Sequence, residues 1–296
     1  MRQPSTNRGV PTGIPSESTL ARVLRRASIR RTAGRDAWPS RWKALCAAVL
    51  LALTPAALAG APPGAAGPSA GGVDLLRLDP AASYGPWRET TGWQDRRPFS
   101  DSARRFRIEG GALRMESAGD SYLIGRQLAP AERRSIAEFP YLRFVVRIGE
   151  VPRGARLIDE VRDDAAFRIY ATFRDEPPLA LVYVWSWDLP VGAWSVRGRS
   201  LWGDFRAVHR KAFGRGEPLP ESWLTVEVDL RADFQARFPG QPLPVLGGVA
   251  LKADSNHTPG GRSLAWLRSA SLHRASLREQ GLREGDRLGD SVLWFR

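Results

Sequence analysis

Cysteine occurs once in these 296 residues, at Cys46, and histidine three times, at His209, His257 and His273. A single thiol forms no internal disulfide and no cysteine-ligated metal site, so stability must come from packing. The three histidines lie far apart and show no H-x-x-x-H or H-E-x-x-H spacing, so no zinc-hydrolase motif is present. No G-x-S-x-G elbow, P-loop or dinucleotide-type glycine pattern in a strand–helix context occurs either. No metal, cofactor or catalytic residue is assigned from motifs. A site assembled from separate strands would leave none to find. No repeat with a period of 20–50 residues is seen.

Charge is also missing from one stretch. Residues 1–43 carry ten Lys or Arg and two acids, Glu17 and Asp36. Ala44 to Ala59, ALCAAVLLALTPAALA, then runs 16 residues without a charge and ends in Ala57-Leu58-Ala59. A basic flank, an apolar run and an A-x-A site in that order predict a secretory signal. At about 1.5 Å per residue the run spans roughly 24 Å, short of a bilayer core of about 30 Å. The basic flank is long for a signal, so a start within it is one alternative. An uncleaved membrane anchor through 44–59 is another. Residues 60–72, rich in Gly, Ala and Pro, read as a flexible linker. Either way the remainder is expected outside the cytoplasm, in the periplasm or beyond.

That reading removes most of the apparent basicity. The formal charge of the whole chain is +13. Without residues 1–59, 34 bases and 29 acids remain, a net of +5. The bases are scattered among acids, so nucleic acid is not an expected partner.

From residue 73 onward, short segments with period-two alternation are separated by Gly, Pro, Asp and Asn. Leu142, Phe144, Val146 and Ile148 form one apolar set, and Phe167, Ile169, Ala171 and Phe173 another. Leu224, Val226 and Val228, then Val249, Leu251 and Ala253, repeat the pattern. Further strands are expected at 112–117, 121–128, 179–187 and 264–273. The segment 205–213 reads as a strand or a helical turn. One short helix is expected near 229–238, where Leu230, Phe234 and Phe238 share a face and Pro239-Gly240 stops it. The fold class is mainly β: a single β-sandwich of jelly-roll or galactose-binding-like type over 73–274. Residues 275–296, charged and Gly-spaced, read as a C-terminal tail, with Val292-Leu293-Trp294-Phe295 able to dock.

Four segments resemble the DUF3047 family of exported bacterial proteins of unknown function. They are LRFVVRIGEVPRGA at 142–155, DDAAFRIYATF at 163–173, LALVYVWS at 179–186, and SWLTVEVDLRADFQARFPGQPLPVLGGVALKADSNHT at 222–258. The resemblance spans roughly 84–274. It implies a β-sandwich similar in outline to carbohydrate-binding modules and supplies no catalytic residue. The segment after Trp187 is longer and richer in Trp and Arg than that pattern.

Three constellations are candidate sites. Tyr183 and Trp185 share one face of a strand with Leu181 and Trp187; Arg168 and Tyr170 lie on the polar face of the preceding strand. If those faces coincide, the rings form a platform for a sugar beside Arg168 and Arg174. Core packing is the competing reading of such aromatics. The turn Asp254-Ser255-Asn256-His257-Thr258 offers Asp254 and Asn256 as ligand or Ca²⁺ contacts, or simply an Asx-type turn. The acids Asp159, Glu160, Asp163 and Asp164 read as a solvated loop rather than a glycosidase pair. Glu227, on a strand, is the better isolated acid. The function these features favour is an extracytoplasmic module binding a saccharide or an envelope component. A glycan-active hydrolase or lyase and a structural partner in an envelope assembly are the alternatives.

Overall fold

The computed structural model describes residues 72–96, 101–158, 161–173, 179–197, 207–216, 222–288 and 290–295. The apolar run 44–59, the linker up to residue 71, and Asp159, Glu160 and Arg174 lie outside them. No helix among the described residues is long and apolar enough to cross a membrane.

In chain order the strands are β1 Val73–Asp74, β2 Gln94–Asp95, β3 Arg107–Glu109, β4 Ala112–Ala118, β5 Ser121–Gln127 and β6 Arg134–Ser135. Then come β7 Tyr141–Glu150, β8 Ala165–Phe173, β9 Leu179–Ser186, β10 Trp194–Arg197 and β11 Ala207–Arg215. The last are β12 Trp223–Asp229, β13 Val245–Asp254, β14 Arg262–His273, β15 Arg287–Leu288 and β16 Ser291–Phe295. They form two sheets. The first runs β15–β16–β12–β7–β14–β4–β3, with β1 also on β14; the second runs β10–β11–β9–β8–β13–β5–β2, with β6 also on β13. Pairing is antiparallel except between β9 and β11 and between β12 and β16. This is the mainly β, jelly-roll-type sandwich that the alternation implies.

The expected apolar sets face each other between the sheets. Phe144 of the first sheet meets Phe213 of the second edge-on, with ring centroids 5.2 Å apart, and stacks on Phe167 at 6.0 Å. Each such side chain, fully buried, contributes about 1.5–3 kcal/mol of transfer free energy. Behind the second sheet lies a smaller apolar layer of Leu157, Ala180, Val182, Val184, Leu189, Val208 and Ala212. Both faces of β9 are therefore covered, and every one of its residues is buried.

Helix α1, Tyr84–Thr91, is a correction to the single helix expected. Gly92 ends it in the left-handed region at φ 79°, where its N–H reaches the Arg88 carbonyl. Trp87 anchors it by donating to the Arg77 carbonyl at 2.9 Å and stacking on Trp93. Helix α2, Leu230–Arg237, is the one read from the sequence, and Asp229 caps it by accepting from the Ala232 N–H at 2.9 Å. Residues 205–206 are not described, and 207–215 form strand β11 rather than a helical turn.

The C-terminal segment is not a free tail. Strand β16 extends the first sheet alongside β12, and the Thr225 and Ser291 hydroxyls lie 2.5 Å apart.

Several connections change sheets at one end of the sandwich, and three of them build one corner. These three are β4 to β5, β7 to β8 and β13 to β14. The register shows the convergence: Asp254 pairs with Ser121 and with Ala165, while Arg262 pairs with Ala118. Loops clustered this way at one end of a rigid scaffold are where sandwich proteins carry their sites.

Candidate functional site

The aromatic platform does not form. Strand β8 pairs with β9 so that Ile169 lies opposite Tyr183 and Phe167 opposite Trp185, whereas Tyr170 lies opposite Val182 and Arg168 opposite Val184. Cross-strand partners share a face. Tyr183 and Trp185 therefore point into the core, and Arg168 and Tyr170 point out behind the second sheet. Tyr183 is 0% and Trp185 2% exposed. The Trp185 ring packs over Gly214, where an added Cβ would come within 2.1 Å of it, and its Nε1–H donates to the Gly216 carbonyl at 2.9 Å. The Tyr183 hydroxyl donates to Asp233 Oδ2 at 2.9 Å, and Lys211 donates to Asp233 Oδ1 at 2.6 Å. Burial, aided by Asp233, pushes the Tyr183 hydroxyl well above its ordinary value, and burial also raises Asp233 against the pull of Lys211.

Arg168 and Asp254 do meet, although not as a surface for ligand. Arg168 and Lys252 are direct cross-strand neighbours on the outer face of the second sheet, a repulsive pairing by itself. The Asp254 carboxylate bridges them, receiving Arg168 at 3.1 Å and Lys252 in a close ion pair. Burial opposes ionisation there, but the two cations hold Asp254 well below the usual carboxylate range. Asp254 therefore does not close its own turn.

That role falls to Asp164. Its Oδ2 accepts the His257 backbone N–H at 2.9 Å. Asp163 stands beside it, with Oδ2 receiving Arg210 at 3.2 Å and Oδ1 lying 2.8 Å from His257 Nδ1. Both carboxylates are wholly buried, which corrects the solvated loop expected for them. They sit in the β7–β8 connection, under the β13–β14 turn that carries His257. A carboxylate only accepts, so in this contact Nδ1 carries the hydrogen. The His257 side chain is 31% exposed, and Asn256 beside it is open to solvent.

The turn is fastened to the first sheet as well. The Ser255 and Ser263 hydroxyls each lie 2.8 Å from that of Ser117, and all three are buried. Ser255 Oγ accepts from the Gly119 N–H at 3.0 Å, and the Ser255 N–H donates to the Asp120 carbonyl at 3.0 Å. One exposed and one partly exposed polar side chain, Asn256 and His257, thus project from a corner fixed to both sheets. The acid–histidine contacts were missed in the sequence because they join segments 94 positions apart. The available signal was the pair Asp163-Asp164 directly before the small residues Ala165 and Ala166 of a buried strand.

Glu227 is structural. It accepts from Arg143 at 2.8 Å and from the Leu277 N–H at 3.0 Å, tying the C-terminal segment to β12. His209 is packed edge-on against Phe238 at 4.8 Å, and His273 bonds with Ser271 at 2.8 Å.

The family model described as "Protein of unknown function (DUF3047)" matches residues 98–270. No curated protein matches the sequence. Among solved structures, a loop-swap mutant of Neocallimastix patriciarum Xyn11A is 10% identical with a TM-score of 0.31, over 61% of this chain and 90% of its own. The family 11 xylanase of the same organism is 11% identical with a TM-score of 0.31, over 56% of this chain and 80% of its own.

Proposed function

We propose that this chain, which belongs to the DUF3047 family, is an exported module that binds a saccharide or another hydroxyl-rich envelope component at the Asn256–His257 turn. Export is inferred from the basic flank, the uncharged run 44–59 and Ala57-Leu58-Ala59. The binding reading rests on one observation: the turn is braced from both sheets while its exposed Asn256 and partly exposed His257 are polar. Asp164 and Asp163 hold His257 from beneath, and Ser117, itself bonded to Ser263, holds Ser255. A pre-organised donor–acceptor pair loses little freedom on binding, which suits recognition of hydroxyl groups. Calorimetric titration of the full chain with a panel of envelope saccharides tests it. One saccharide class is expected to bind, and Asn256→Ala with His257→Ala together to abolish that binding while lowering the melting temperature by no more than about 4 °C. Equal binding by the double variant overturns the assignment.

A second reading is favoured by the Asp163–His257 pair itself. A buried carboxylate on Nδ1 of a partly exposed imidazole is the arrangement that orients a general base. Release of reducing ends or unsaturated products from an envelope polymer, lost in His257→Ala, would establish that activity in place of simple binding.

A further inference from the structure

The three wholly buried carboxylates at this end of the sandwich are unevenly neutralised. Asp254 has both Arg168 and Lys252, and Asp163 has Arg210. Asp164 has neither Lys nor Arg within ion-pair distance among the described residues, although it is 0% exposed. Its Oδ2 is held by the His257 N–H, but its Oδ1 has no hydrogen-bond partner. His257 Nδ1 lies 3.8 Å from that oxygen. Burying a carboxylate costs several kcal/mol unless a cation or a full set of donors compensates it, about the scale of one strong ion pair. A buried, orphaned carboxylate oxygen aimed at a second carboxylate and an imidazole nitrogen therefore asks for a cation.

The site for one is already drawn. One carboxylate oxygen each of Asp163 and Asp164 and one ring nitrogen of His257 all lie within 4.8 Å of one another. We infer that Asp163, Asp164 and His257 bind one divalent transition-metal ion, Zn²⁺ foremost. The ion replaces the hydrogen that His257 Nδ1 shares with Asp163, and that proton is released to solvent; small turns of the three side chains then allow bonds of about 2.0–2.2 Å to a common centre. One imidazole nitrogen with two carboxylate oxygens is a borderline donor set that suits Zn²⁺. Ca²⁺ takes about 6–8 oxygen ligands, more than this corner supplies. The outer support that metal sites require is present too. Arg210 steadies the far oxygen of Asp163, and the His257 N–H steadies that of Asp164. The partly exposed His257 side leaves an approach for the ion and for water. The proximity of Arg210 weakens the field of the site, so an affinity on the order of micromolar is expected rather than nanomolar.

The test uses the full chain and metal alone, so it stands or falls apart from saccharide binding. Chelator-treated protein is titrated with ZnCl₂ by calorimetry, and the stoichiometry is read by native mass spectrometry. One equivalent is expected, with a raised melting temperature, and CaCl₂ and MgCl₂ are expected to bind at least about tenfold more weakly. Asp164→Asn and His257→Gln should each weaken Zn²⁺ binding by at least about tenfold. Without metal, Asp164→Asn should melt no lower than the native chain, because it removes the uncompensated charge. Should Asp164→Asn fail to fold, His257→Gln, at the partly exposed end, decides alone. Absence of a Zn²⁺ equivalent, or native affinity in His257→Gln, overturns the inference.

Discussion

Asp163 and His257, 94 positions apart in the chain, meet at 2.8 Å where three strand connections change sheets. The contact is lopsided. Asp163 is wholly buried and also neutralises Arg210, whereas His257 is partly open. Its two ends should therefore respond differently to substitution. Asp163→Ala leaves the Arg210 guanidinium buried without that carboxylate and is expected to cost about 3–5 kcal/mol. His257→Ala should cost under about 1 kcal/mol. Urea denaturation of both variants measures the contrast, and similar losses would mean that His257 is held for stability.

Stability should fall on mild acidification through His273. Burial, with Arg143 adding to it, depresses this ring from 6.5 to about 4. A base with a depressed folded value binds fewer protons folded than unfolded, so stability is intact above about pH 6.5 and is lost as pH falls toward about 4. The loss is on the order of 1–2 kcal/mol once the solvent reaching part of the ring is allowed for. Thermal melts between pH 7 and pH 4 should show it, and His273→Gln should flatten that slope.

Gly214 is required by packing. A Cβ there would come within 2.1 Å of the Trp185 ring. Gly214→Ala must displace the largest side chain in that part of the core and is expected to cost about 1–3 kcal/mol. A urea midpoint equal to that of the native chain would show that the ring has room to move.

Removing residues 276–296 strips β16 from β12 and takes away the Leu277 N–H that Glu227 accepts. The truncated chain should unfold at lower urea and, with the edge of β12 exposed, associate. Light scattering alongside the denaturation curve checks both effects.

Much of this fold was legible because alternation marks a strand with one buried face. Leu142 to Ile148 and Phe167 to Phe173 were read correctly for that reason, and Asp229 with Leu230, Phe234 and Phe238 marked α2. The relative facing of β8 and β9 was not legible. Strand β9 is apolar on both sides, since Leu157, Leu189 and Val208 cover its outer face, so alternation gave no sign of which side held the core. Only the pairing register separates Tyr183 from Tyr170. Helix α1 was hidden by its weak amphipathic pattern and by Pro86 inside it. The candidate site was half legible. The Asp254–Thr258 turn stood out as a motif, but the acids that brace it come from another sheet-crossing segment, and no local pattern records that meeting.

The Asn256–His257 turn is proposed as a ligand site on a corner braced by both sheets. Two-dimensional NMR of the isotope-labelled chain, titrated with a saccharide that binds, tests it most directly. The account predicts that the backbone signals of Asn256 and His257 and the His257 imidazole Nε2 shift progressively, while Tyr183 and Trp185 stay unchanged. Shifts centred on Trp185 and Tyr183, with Asn256 and His257 unmoved, would contradict it.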